Sequence, residues 1–265
     1  MQVSTMNFKG IRLFFFDLDG VLSIGKENPR YLGGREVVAK IKSLGKKAVL
    51  LTNDSTHTRL EIQQNLVKLG FCFDLHEILT SSYLSGLYLT QRFGKTGFYL
   101  IGEEGLRREL EEAGHYQTED EARVVVVGLD RRLSYEKLDK ALRLLRNGAL
   151  LIGSYGGAVY MSDHGPALSA GPIIKALEYG SGKRAIMIGK PSSRMFRLAL
   201  KRANEQPRNA VMIGDQLETD LAGARAAGVH TILVLTGVET RETIAKSKVR
   251  PDMIVENVDI LVDLL

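Results

Sequence analysis

The sequence predicts an α/β protein with a mostly parallel sheet and a second, smaller α/β domain. Short apolar runs alternate with amphipathic helical stretches along nearly the whole chain, which is the pattern of parallel sheets with helical crossovers. The first run, Leu13–Phe16, is apolar at every position, as in a strand that is buried on both faces. A length of 265 residues leaves room for one large domain or two smaller ones.

The first predicted domain segment covers residues 1–82. We expect strands at 13–16 and 48–51, and helices at 33–44 and 59–69. Gly45 and Gly70 follow these helices, where glycine commonly ends a helix. This strand–helix–strand–helix order predicts a right-handed, mostly parallel arrangement.

The middle segment, residues 83–185, repeats this alternation and predicts a small α/β domain of its own. Its strands are expected at 97–101, 124–127 and 149–152, and its helices at 103–113, 134–146 and 170–179. The last segment, residues 186–265, returns to strand–helix alternation. Strands are expected there at 185–188, 210–213, 231–235 and 253–255, with helices between them and a short one after Asp259.

Composition narrows the class of protein. The 36 basic and 31 acidic residues are interspersed along the chain. The sequence contains no cluster of basic residues with interleaved aromatics, so we do not expect nucleic-acid binding. No apolar run is long enough for a membrane span, and no signal peptide is evident. Cys72, the only cysteine, excludes an internal disulfide and is expected to pack as a small hydrophobe. We therefore expect a cytoplasmic protein.

Polar groups follow four of the predicted strands. Because parallel strands share one carboxyl edge, where α/β sheets bind ligands, these groups are expected to meet. They are Asp17 with Asp19, Thr52 with Asn53, Lys190, and Asp215.

The chemistry of this set favours a phosphate and a metal. Three carboxylates suit a hard cation such as Mg²⁺, and a hydroxyl, an amide and an ammonium suit phosphate oxygens. Taken singly, each residue has a structural alternative: Thr52 as a helix N-cap, Lys190 as a solvated loop residue, and Asp215 as a turn residue. Asp220 is either a first-turn helix charge or part of the same set.

The sequence resembles the haloacid dehalogenase superfamily of phosphohydrolases, in its NagD-like or p-nitrophenyl phosphatase branch with a class IIA cap. The resemblance implies a Rossmann-like core formed by residues 1–82 and 186–265. It also implies that residues 83–185 are an inserted α/β cap that reads the substrate. The matching motifs are Asp17-Leu-Asp19-Gly20-Val21, Leu51-Thr52-Asn53, Gly189-Lys190-Pro191 and Gly214-Asp215-Gln-Leu-Glu-Thr219-Asp220, with Leu235-Thr-Gly237 as a branch-like phrase.

The resemblance also implies roles for these residues in a Mg²⁺-dependent phosphatase. Asp17 would attack phosphorus to form an aspartyl-phosphate, and Asp19 would act as general acid and then base. Asp17, the main-chain carbonyl of Asp19, and Asp215 would hold Mg²⁺, and Asp220 would orient Lys190. The phosphoryl clamp would comprise Thr52, Asn53 and Lys190.

The chain departs from this branch in the cap's substrate loop, which here reads Ser154-Tyr155-Gly156-Gly157. Tyr155 either stacks on a substrate ring or fills the cap core, and His164 is a candidate specificity residue. The expected substrates are nucleotides, sugar phosphates or p-nitrophenyl phosphate, and a homodimer through the cap is an expectation from the resemblance. The alternatives are phosphoryl transfer between sugars, dehalogenation, and a non-catalytic phosphate-binding module.

Overall fold

A computed structural model describes residues 6–25, 29–162 and 165–265. The strands in these ranges are β1 (Leu13–Phe16), β2 (Ser23–Ile24), β3 (Arg30–Tyr31), β4 (Lys47–Thr52), β5 (Ile78–Thr80), β6 (Gly97–Ile101), β7 (Tyr116–Gln117), β8 (Val124–Val127), β9 (Leu150–Gly153), β10 (Val159–Ser162), β11 (Gly165–Leu168), β12 (Ile186–Met187), β13 (Ala210–Gly214), β14 (His230–Val234) and β15 (Met253–Val255). The α-helices are α1 (Arg35–Ser43), α2 (Arg59–Lys68), α3 (Ser81–Phe93), α4 (Glu104–Glu112), α5 (Tyr135–Arg146), α6 (Ala170–Ser181), α7 (Ser193–Ala203), α8 (Ala222–Ala226), α9 (Arg241–Lys246) and α10 (Leu261–Leu264). None of the described helices is both long and apolar enough to span a bilayer.

The chain divides into two compact units. The core unit comprises the chain up to Thr52, Leu60–Leu79 and Lys190–Leu265. The inserted unit comprises Asn53–Arg59 and Thr80–Gly189. The chain therefore passes from one unit to the other at residues 52/53, 59/60, 79/80 and 189/190.

The core unit is built on a six-stranded sheet in the order β15-β14-β13-β1-β4-β5. β1 pairs in parallel with both β13 and β4, and all four of its residues are fully buried. An apolar strand of this kind suits the interior of a parallel sheet, because helices cover both faces. The predicted α/β class with a mostly parallel sheet is confirmed.

The inserted unit has a five-stranded sheet in the order β12-β9-β8-β6-β7, in which every neighbouring pair is parallel. Its strand β8 consists of four buried valines, as the β-branched run predicted. Leu145 of α5 and Ile174 of α6 pack against Val125 and Val127 in one hydrophobic cluster. Ser134 caps α5, and its hydroxyl accepts a hydrogen bond from the Lys137 amide.

Several expectations differ from the structure. The sequence analysis predicts the strand before Lys190 as part of the last core segment, whereas β12 pairs with β9 of the inserted unit. An isolated apolar run does not encode which of two parallel sheets it joins. Cys72 is exposed, and the prediction that it packs as a hydrophobe was wrong, since Phe71 and Phe73 point inward and the alternation turns Cys72 outward.

Helix α3 and the antiparallel hairpin of β10 and β11 were not predicted. The α3 sequence carries buried serines and Gly86 in place of a clear apolar stripe, so the periodicity signal is weak. The unit boundaries also differ from residues 82 and 185, because the inserted unit includes Asn53–Arg59 and extends through Gly189. Contacts of Arg59 explain why the segment Asn53–Arg59 belongs to the inserted unit. The backbone amide and Nε of Arg59 donate to the Glu109 carboxylate of α4 at 2.7 and 2.8 Å.

Candidate active site

The carboxyl edge of the core sheet collects three of the predicted side chains. Asp17 directly follows β1, Asp215 directly follows β13, and Thr52 is the last residue of β4. β1 lies between β4 and β13 in the sheet, and the Asp17 amide donates to the Ile213 carbonyl at 3.0 Å. Parallel pairing therefore places these groups at one edge, where α/β sheets bind ligands.

Lys190 is a buried cation held between two carboxylates. Its Nζ lies 2.7 Å from Asp17 Oδ1 and 2.6 Å from Asp220 Oδ1. Only 1% of the lysine side chain is exposed, and 0% of Asp220. Burial on its own would lower the pKa of Lys190, but the charges of Asp17 and Asp220 outweigh it, so the pKa is raised. The side chain is therefore a fixed ammonium group.

Asp17, Asp215 and Asp220 form a buried carboxylate cluster, with one oxygen from each lying within 4.8 Å of the others. Burial raises the pKa of Asp17 well above its usual value, and so do the neighbouring charges of Asp220 and Asp215, whereas Lys190 opposes the rise. Burial, followed by the charge of Asp220, raises the pKa of Asp215 to about 7. Lys190 contacts only Asp17 and Asp220 of these three acids, and the raised pKa values show that ionising Asp17 and Asp215 is unfavourable without a further cation.

The carboxylate of Asp215 is placed for a further ligand. Its Oδ1 is buried and has no hydrogen-bond partner among the described residues, while Oδ2 accepts from the Val238 amide at 3.2 Å. A buried acceptor without a partner is costly, and a hard cation with oxygen ligands would satisfy it. The donor set and its charge therefore fit a divalent metal such as Mg²⁺.

Two glycines make room for this carboxylate. A Cβ atom at Gly237 would lie 1.9 Å from Asp215 Oδ2, and one at Gly20 would lie 2.4 Å from the same oxygen. The two loops are tied together, because the Thr236 hydroxyl donates to the Gly20 carbonyl at 2.6 Å. Leu235-Thr-Gly237 carries part of the family resemblance, but the sequence alone predicts no role for it. The glycine in this motif is the one feature of the sequence that could have indicated a close contact at this position.

The remaining predicted residues lie in different settings. Asp19 is half-buried and is not a member of the carboxylate cluster within the described ranges. Asn53 belongs to the inserted unit, where its carbonyl accepts a hydrogen bond from the Ser81 hydroxyl at 3.0 Å. Tyr155 is half-buried after β9, and its hydroxyl would lie 2.0 Å from a Cβ at Gly157. His164 lies outside the described residues.

Comparison with known families gives two matches that agree with this arrangement. Residues 14–116 match a model of haloacid dehalogenase-like hydrolases. Residues 187–261 match a second, HAD-hydrolase-like model. The first match includes Asp17 and Thr52, and the second includes Lys190, Asp215 and Asp220.

Individual proteins resemble the chain over nearly its full length. The 5'-nucleotidase YutF of Bacillus subtilis is 30% identical, over 90% of this chain and 92% of its own. The solved structure of p-nitrophenyl phosphatase from Archaeoglobus fulgidus superimposes with a TM-score of 0.91 at 32% identity, covering 96% of this chain and 99% of its own. NagD from E. coli superimposes with a TM-score of 0.85 at 29% identity, covering 94% and 97%. The chain belongs to the haloacid dehalogenase-like hydrolases, in their NagD-like phosphatase branch.

Proposed function

We propose that the chain is a Mg²⁺-dependent phosphatase that hydrolyses small phosphomonoesters through an aspartyl-phosphate intermediate. The observation that carries this proposal is the buried Lys190 between Asp17 and Asp220, beside the unpartnered oxygen of Asp215. Such a site offers a nucleophile, a cation for phosphoryl oxygens and a place for a metal. The family and the names of its members support the same reaction class.

Asp17 is the proposed nucleophile. Lys190 holds its Oδ1, which leaves Oδ2 for in-line attack on phosphorus. A bond forms between this oxygen and phosphorus as the bond to the leaving oxygen breaks. Asp19 donates a proton to the leaving oxygen, and then takes one from the water that hydrolyses the aspartyl-phosphate.

Lys190 acts twice in this scheme. Its ammonium lowers the cost of keeping Asp17 ionised in a buried site, and its positive charge attracts the phosphoryl oxygens of a substrate bound beside Asp17. Asp220 is a positioning residue, since its Oδ1 lies 2.6 Å from Lys190 Nζ and holds the cation in place. Thr52 and Asn53 complete the proposed phosphoryl clamp, where positioning and electrostatics supply most of the catalysis.

Mg²⁺ would be held by Asp17, the main-chain carbonyl of Asp19, and Asp215. When bound, it neutralises charge between the attacking carboxylate and the phosphoryl group. The raised pKa of Asp215 and its free Oδ1 are the features of this chain that support the assignment.

Substrate choice is assigned to the inserted unit, acting as a cap. The named relatives include a 5'-nucleotidase and a p-nitrophenyl phosphatase, which supports nucleotides and aryl phosphates as the first substrates to assay, followed by sugar phosphates. We assign Tyr155 to leaving-group recognition, with His164 as a second candidate. Tyr155→Ala is expected to change the order of preferred substrates more than it changes p-nitrophenyl phosphate turnover. A homodimer through the cap and a cytoplasmic location complete the proposal.

The experiment measures p-nitrophenyl phosphate hydrolysis with MgCl₂ and with a chelator. Activity is expected only with the metal, and Asp17→Asn is expected to lower kcat by at least ~10³-fold because the nucleophile is lost. Asp263→Asn, an exposed acid of α10, is the matched control and should keep full activity. Mass spectrometry after acid quench should find phosphate on Asp17.

Two results would contradict the proposal. Full turnover in the chelator would remove the metal from the scheme, and turnover by Asp17→Asn would remove the nucleophile. A phosphorylated sugar product in the presence of acceptor sugars, with little free phosphate, would instead identify a phosphotransferase. No turnover of any substrate with intact phosphate binding would identify a non-catalytic module.

A further inference from the structure

The core unit has a cleft near the end of β1 opposite to Asp17. Arg12 directly precedes β1, whereas Asp17 directly follows it, and the two residues are roughly 16 Å apart along an extended strand at ~3.3 Å per residue. Arg12 lines a cleft of about 480 Å³ together with Lys201 at the end of α7 and Arg208 in the following turn. The cleft is therefore separate from the carboxylate cluster.

The charges in this cleft are unbalanced. The side chains of Arg12, Lys201 and Arg208 are exposed, and each lacks a hydrogen-bond or ion-pair partner among the described residues. The single acid in the lining, Glu205, is already paired with Lys47, whose Nζ lies 3.0 Å from its Oε1. Three cations thus face the cleft without an acid to neutralise them.

The cations have one ordinary structural explanation, which is stabilisation of the negative carboxyl end of α7. That end already has a partner, because Lys47 Nζ donates to the Ala203 carbonyl at 2.7 Å. Asn204, Gln206 and Asn209 also line the cleft, and carboxamide N–H groups are suitable donors for an anion. A cleft of this volume lies in the usual range for small-molecule sites, about 300–1,000 Å³.

We propose that this cleft is a second anion site, which binds the phosphate group of a small phosphorylated molecule through Arg12, Lys201 and Arg208. Arginine side chains bind phosphate oxygens in pairs, and lysine adds a point charge. The concave shape and the small number of cations select a compact anion over an extended polyanion. The site is independent of the proposed catalytic chemistry.

The test is a titration of the isotopically labelled full chain with inorganic phosphate, followed by backbone amide resonances at constant ionic strength. The amides of Arg12, Gln206 and Asn209 are expected to shift along a saturable curve. The amide of Asp17 reports any binding at the catalytic edge separately. Phosphate shifts that are linear with concentration, or equal to those in sodium chloride, would overturn the site.

Variants test the assignment of the residues. Arg12→Ala with Arg208→Ala is expected to weaken phosphate binding in the cleft at least ~10-fold, which corresponds to about 1.4 kcal/mol. Arg197→Ala is the control, because it removes one exposed charge from the same helix one turn before Lys201. Equal weakening by the control would show general charge attraction and would contradict the proposal. The double variant should keep its p-nitrophenyl phosphate turnover, so failure of this site and failure of the proposed hydrolysis are separable.

A second titration distinguishes sources of the phosphate group. Adenosine monophosphate is expected to bind the cleft at least as tightly as inorganic phosphate. A short single-stranded oligonucleotide should bind no more tightly per phosphate. Preferential binding of the oligonucleotide, lost in the double variant, would overturn the assignment to a small molecule.

Discussion

Replacing Lys190 by methionine tests the electrostatic balance of the buried site. The substitution keeps the length of the side chain but removes the ammonium that lies 2.7 Å from Asp17 and 2.6 Å from Asp220. Three clustered carboxylates would then remain without a cation. Removing one partner of a buried ion pair typically costs about 3–5 kcal/mol, and we expect a loss of unfolding free energy in that range near neutral pH.

The loss should depend on pH in a definite direction. Lys190 lowers the pKa of Asp17, so its removal raises the folded-state pKa of this carboxyl further above the unfolded value. The contribution of such a group to the free energy of unfolding is fully present below its pKa in the unfolded chain, about 4. This contribution is lost as the pH rises through the pKa in the folded protein. Asp215, with a pKa of about 7, extends this window to neutral pH. The deficit of Lys190→Met should therefore grow from pH 5 to pH 8.

The assay is urea unfolding of the full chain, followed by circular dichroism in the presence of a chelator. Lys47→Met is the matched control, because it removes a lysine paired with Glu205 at the surface, where 47% of the lysine side chain is exposed. Its expected cost is below about 1 kcal/mol and nearly constant with pH. If Lys190→Met costs no more than this control, or if its deficit is flat between pH 5 and pH 8, the electrostatic account is wrong.

Three further predictions follow from the same structure. Because the pKa of Asp215 is raised to about 7, Mg²⁺ must displace a proton from this carboxyl below that pH. In calorimetric titrations, the apparent Kd for Mg²⁺ should therefore rise ~10-fold per pH unit below pH 7 and level off above pH 7. Gly237→Ala should weaken Mg²⁺ binding at least ~10-fold while the protein stays folded, since the new Cβ would lie 1.9 Å from Asp215 Oδ2. Gly10→Ala, with no atom within 4 Å of its new Cβ, is the control for that titration. Thr80→Val should lower the free energy of unfolding in urea by about 1 kcal/mol, because the buried Thr80 hydroxyl caps α3 by accepting from the Tyr83 amide at 3.0 Å. An unchanged urea midpoint would show that this cap contributes nothing to stability.

Several elements of both units could be predicted from local pattern. β1 and β8 begin and end where their uninterrupted apolar runs do, and Ser134 marks the start of α5. Asp17 and Asp215 could also be selected, because each follows an apolar strand of the core sheet and the parallel strands bring them to one edge. The same reasoning selects Lys190, but the strand before it belongs to the other sheet, so the pattern does not explain its contact with Asp17. These features are encoded over a few residues each.

Other features depend on partners far away in the sequence. The sheet that β12 joins is decided by its pairing with β9, which no local pattern encodes. The role of Gly237 is visible only once Asp215 is known to lie against it, 22 residues earlier in the chain. The sequence predicts a buried Cys72 because both of its neighbours in the chain are apolar. In an extended segment, however, successive side chains point to opposite sides, so the burial of Phe71 and Phe73 leaves Cys72 exposed.

The discontinuous make-up of the inserted unit has a practical consequence for protein engineering. A chimera that exchanges only residues 80–189 with those of a relative would leave Arg59 facing a foreign surface in place of Glu109, which is 1% exposed. It would also separate Ser55 from the Leu129 amide that donates to its hydroxyl at 3.4 Å. An exchange of the inserted unit between such proteins must therefore carry the seven-residue segment Asn53–Arg59 along with the larger one.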